Sequence, residues 1–162
     1  MAAWFVGGAL AVVWNVFRDP AIDYRLVAAG ALLPDVVDAP LGGGRYLHTL
    51  LFSVVFLAAV MGATRHRRRL RRRLLALPIG TFLHLVLDAI WTRRRLFWWP
   101  LFGVSLGGQP LPSLDHGWAV VAVEEVAGVV ALAWWWRRFR LSDPARRASF
   151  LRTGRLGRDL VS

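Results

Sequence analysis

LLALPIGTFLHLVLDAIW, residues 74–91, is an apolar run of spanning length that carries two ionisable side chains, His84 and Asp88. Eighteen or more apolar residues with almost no charge read as a transmembrane helix. Arginine brackets this run: seven of the nine residues 65–73 precede it, and Arg93, Arg94 and Arg95 follow it. Working outward, residues 1–17, 26–41, 46–64 and 117–136 form further apolar blocks. The expected fold is therefore all-α, a polytopic transmembrane helical bundle with four to five membrane segments. Segment 26–41 is short and is cut by Pro34, Asp35, Asp38 and Pro40, so it is expected to be broken or re-entrant. Segment 1–17 lacks the basic start and small-residue cleavage site of a signal peptide and is read as the first helix. The expected organisation is one transmembrane domain, 1–136, followed by a basic cytoplasmic tail, 137–162, lying on the membrane or disordered.

Composition supports this reading. The 162 residues are 56% hydrophobic, with a mean hydropathy of +0.44 and only 19% charged residues, which cluster in loops and the tail. There is no cysteine, so disulfides and thiolate metal sites are excluded, and any transition metal must be held by histidine and carboxylates. All 21 basic residues are arginine and the net charge is +11. Arginine beside apolar spans points to anionic lipid headgroups as the partner and away from nucleic acid. The dense loop 65–73 and the arginine-rich tail are both expected on the cytoplasmic side.

Ionisable groups inside apolar segments are expensive and usually do work. Asp35 and Asp38 are spaced i,i+3, and His84 and Asp88 i,i+4, each pair on one helix face. His48 opens the third segment, with Arg45 before it. Asp115 and His116 lead into the fifth, and Glu124 and Glu125 lie about two turns inside it. If the segments alternate in direction, Asp35, Asp38, His48, Asp88, Asp115 and His116 fall near the non-cytoplasmic interface, with His84 one turn deeper than Asp88. They are then placed to converge on one site.

These residues carry a resemblance. LLPDVVD (32–38), RYLHTLLFS (45–53), GTFLHLVLDAIWT (80–92) and FWWPLFG (97–103) resemble, in order and spacing, the motifs of the YdjM-like family of inner-membrane metal-dependent hydrolases of the LexA-regulated type. The likeness covers under half of the chain. Two features depart from it: no histidine precedes His48, and Leu47 and Thr49 stand where that family has Thr and Ser. The resemblance implies multi-pass residence in the bacterial inner membrane. It also implies site residues Asp35, Asp38, His48, His84 and Asp88, with Thr92 in support.

From residue chemistry, Asp35, His48, His84 and Asp88 are the expected ligands of a divalent metal ion such as Zn²⁺, Mn²⁺ or Fe²⁺. Asp38 is expected as a fifth ligand or general base. Arg45 lies on the substrate side, where arginine suits a phosphoester or an anionic lipid-linked substrate. The function that the resemblance implies is metal-dependent hydrolysis. The alternatives are a non-catalytic structural or regulatory membrane protein, and a transporter or ion relay using the same acids and histidines.

Overall fold

The computed structural model describes residues 1–41, 46–105, 117–157 and 159. Arg45, Asp115 and His116 lie outside them. Among the described residues the secondary structure is entirely helical. The helices are α1 (Ala2–Phe17), α2 (Tyr24–Asp38), α3 (Leu50–Ala63), α4 (Arg68–Leu74), α5 (Ala76–Leu87), α6 (Arg94–Phe97), α7 (Trp118–Arg138) and α8 (Pro144–Thr153). Short 3₁₀ turns, Ala39–Leu41, Tyr46–His48 and Ile90–Thr92, flank the ends of α2, α3 and α5.

The expectation of four to five membrane segments is not met. Four of the apolar blocks fold into helices of 16, 15, 14 and 12 residues. At 1.5 Å per residue these are roughly 18–24 Å long, short of the roughly 30 Å hydrocarbon core of a bilayer. Among the described residues, one helix is long and apolar enough to cross a membrane: α7, of 21 residues. The reason lies at the helix ends. Counting apolar residues ignores where a helix stops, and here Asp38, Asp88 and the 3₁₀ turns close α2 and α5 early. Much of the remaining apolar content belongs to an internal core. Phe5, Ala9 and Val13 of α1 pack with Val27 and Ala31 of α2 and Leu83 of α5.

α2 and α5 form the centre and run parallel. Contacts climb in step from Asp23–Arg73, through Gly30 beside Leu77 and Gly80, to Ala31–His84. The approach is backbone to backbone. A methyl group on Gly30 would land on the Leu77 carbonyl, and one on Gly80 on the Val27 carbonyl. Pro34 lies inside α2, has no N–H and cannot bond the Gly30 carbonyl four residues back. Thr81 of α5 donates its hydroxyl to that carbonyl at 3.2 Å. α1 packs on α2, α5 and α7, and α3 packs on α5. The Ala3 N–H at the start of α1, which no intrahelical acceptor serves, donates to Glu125 of α7.

The bundle consequently has two unlike ends. At one end the finish of α2 and α5 meets the start of α3. At the other, the start of α2 meets α4 and the tail. The described part of the tail docks there: Phe139, Leu141 and Leu156 join the core beside Trp14, Tyr24 and Trp135. Backbone bonds Tyr24 N–H to Gly154 O and Leu156 N–H to Pro20 O fix it in place. α7 runs on to Arg138, past the boundary expected at residue 136.

Candidate metal centre

Each functional side chain sits at the end of a helix. Asp35 and Asp38 occupy the last turn of α2. His48 ends the 3₁₀ turn before α3, and Thr49 holds that turn in register: its hydroxyl donates to the Tyr46 carbonyl and accepts from Phe52 N–H, capping α3. His84 lies in the last turn of α5, and Asp88 is its C-cap.

Asp35, His48 and His84 come together, with one ligand atom from each lying within 4.8 Å of the others. His48 Nε2 is 3.3 Å from Asp35 Oδ1, and His84 Nε2 is 3.5 Å from the same oxygen. The two imidazoles meet edge to face, 5.2 Å between centroids, and both are fully buried. Asp35 is partly open, with 27% of its side chain exposed, so the cluster is reached from its side.

The far nitrogens are occupied, and this fixes the near ones. His84 Nδ1 is 2.7 Å from the Ala31 carbonyl, which can only accept, so Nδ1 carries the proton. Burial pushes the His84 imidazolium down to about 4, so the ring is neutral near pH 7. Its Nε2 lone pair then points at a carboxylate oxygen and makes no hydrogen bond. Phe5 stacks on the ring at 4.0 Å and holds its plane. His48 Nδ1 is 2.8 Å from Asp38 Oδ2, an oxygen that also accepts the Leu47 N–H. Burial alone would lower His48, but the Asp35 and Asp38 carboxylates outweigh it and raise it to about 9. Without a metal, a proton on His48 Nε2 bridges to Asp35. With one, the same nitrogen is a ligand whose partner carboxylate stands behind it.

Asp88 is not in the three-ligand group. It is buried, and among the described residues neither of its carboxylate oxygens has a hydrogen-bond partner. Burial raises its pKa to about 7, with His48, Asp35, Arg93 and Glu124 all close enough to act on it. Of the four expected ligands, three are therefore gathered and the fourth lies beside them. Asp38 sits on the far side of His48, fully buried. Thr92 is exposed and bonds its own turn at the Ala89 carbonyl. The sequence reading missed Phe5 and the carbonyls of Gly30 and Ala31. Pro34, which releases the carbonyl four residues back, was the available signal for Gly30.

No family model, no curated protein and no solved structure matches the chain.

Proposed function

We propose that the chain is a metal-dependent hydrolase, with a divalent ion held by Asp35, His48 and His84. One observation carries this reading: a buried, neutral His84 aims an unbonded lone pair at the Asp35 carboxylate oxygen that His48 also faces. Two lone pairs facing each other at 3.5 Å repel, and a cation between them turns the repulsion into coordination. The donor set, two imidazoles and a carboxylate with open positions, suits Zn²⁺ in hydrolytic sites and Fe²⁺ or Mn²⁺. Such an ion lowers the pKa of a bound water toward neutrality and so supplies a nucleophile.

The chain's own groups divide the remaining work. Asp38 and the Ala31 carbonyl orient the two rings through their far nitrogens. Asp88 is the carboxylate left to complete the ligand set or accept a proton. The resemblance to the YdjM-like hydrolases supports the same class, and the arginines after Asp88 support a phosphoester substrate. α7 supports attachment to a membrane: only 11% of its apolar stretch is buried, and about 31 Å of helix matches the hydrocarbon thickness.

Metal analysis of the purified full chain tests the reading. One equivalent of divalent metal in the wild type, lost in His48→Ala and in His84→Ala, is expected, together with chelator-sensitive hydrolysis of a phosphoester panel. A wild-type protein that takes up no metal when offered Zn²⁺, Mn²⁺ or Fe²⁺ refutes it. Stoichiometric metal with no hydrolysis of any phosphoester leaves a metal-binding protein without this catalysis.

A further inference from the structure

α5 is the floor of a cleft of about 450 Å³ whose walls are α1 and α3. Val13, Val54, Ile79 and Phe82 are typical of its lining, which among the described residues includes no charged side chain. One end lies toward the candidate ligands: Leu83 precedes His84, Leu50 follows His48 by two residues, and both line the cleft. The other end reaches Val16 and Phe17. Along the α3 wall, Leu50 to Leu57 measures about 10 Å. The lining has one polar side chain, Ser53, which is 4% exposed and whose hydroxyl has no hydrogen-bond partner among the described residues. A buried hydroxyl left unbonded is costly, and a ligand oxygen beside it would relieve that cost.

The ligand end carries charge where the cleft is apolar, and arginines stand there beside the acids Asp35 and Asp88. Arg93 lies close enough to act on Asp88, and Arg94 and Arg95 are exposed next to it. A molecule matching both regions has an anionic head and a hydrocarbon tail. We infer that the cleft seats the hydrocarbon chain of an anionic amphiphile whose phosphate head reaches the Asp35, His48 and His84 cluster. The substrate class is then an alkyl- or acyl-linked phosphoester. The head-group half of this inference rests on the proposed metal centre; the cleft half does not.

Calorimetry with n-alkyl phosphates from ethyl to octyl, each below its micelle-forming concentration, tests it on the metal-loaded full chain held in amphipol, with the heat of each phosphate into amphipol alone subtracted. Affinity is expected to rise about fourfold per methylene, the factor given by about 0.8 kcal/mol per buried CH₂. Val54→Trp, at a half-exposed position on the cleft wall, should flatten that slope. Leu57→Trp is the second filling variant should the first fail to fold. Equal affinity across the wild-type series, or an undiminished slope in a folded filling variant, overturns the inference. Ethyl phosphate affinity that survives chelation and His48→Ala at full strength, with the slope intact, keeps the cleft and removes the metal centre from the head-group site.

Discussion

At the scale of single residues, the far nitrogen of each histidine decides what its near nitrogen can do. Asp38 holds His48 in the orientation that directs Nε2 toward Asp35. Partners of this kind are worth about 10- to 100-fold in metal affinity. Asp38→Asn is therefore expected to weaken binding by that factor without abolishing it, whereas His48→Ala abolishes it; competition titration against a metal indicator separates the two outcomes. pH adds an independent check. In the metal-free protein His48 is protonated up to about 9, above the ordinary histidine value, because two carboxylates face it. Metal must displace that proton. Apparent affinity should therefore climb as pH rises toward about 9 and level off above it. A titration that levels off near 6.5, the unperturbed value, contradicts the placement of Asp35 and Asp38 around the ring.

At the scale of helices, the α2–α5 contact sets the distance between ligands. Asp35 hangs from one helix and His84 from the other, and the glycine pair lets their backbones touch. Gly30→Ala or Gly80→Ala pushes a methyl group into a carbonyl. Overpacking of this kind costs about 1–3 kcal/mol. A fall in thermal midpoint together with weaker metal binding is the expected outcome. Unchanged metal affinity in a destabilised Gly80→Ala protein would show that the site does not depend on this spacing. Much at this scale was legible in the sequence. The i,i+3 and i,i+4 pairs placed Asp35 and His84 on helix faces near segment ends, and the alternation of segments brought them to one end with His48. Helix length was not legible, because an apolar run does not mark where Asp38 or Asp88 will terminate it.

At the scale of the whole molecule, the end opposite the ligands is tied together by charge. Asp23 is buried and accepts from Arg25 and from Arg73, and Arg25 also reaches the Leu151 carbonyl at the end of α8. Gly154, in the left-handed region at φ 72°, passes directly over Asp23, where any side chain would strike the carboxylate. Gly154→Ala is expected to release the tail, seen as rapid proteolysis within residues 144–157, and to leave metal binding at the other end intact. Loss of metal in that variant would mean that the two ends are coupled. The tail's docking could not be read from its arginine-rich composition, because the groups that anchor it are backbone carbonyls and three apolar residues spaced among the charges.

What the sequence determined alone is the helical character of the chain, the absence of thiolate chemistry, and the pairing of Asp35 with Asp38 and of His84 with Asp88 on common helix faces. Periodicity and residue type are local properties, and they suffice for those statements. Tertiary structure decided the rest. It made α1, α2 and α5 a core, left α7 as the one helix of spanning length among the described residues, placed Asp38 behind His48, and closed the tail over Asp23. Each of these depends on which surfaces meet. Burial and hydrogen bonding between residues far apart in the chain set that choice, and no single segment contains it.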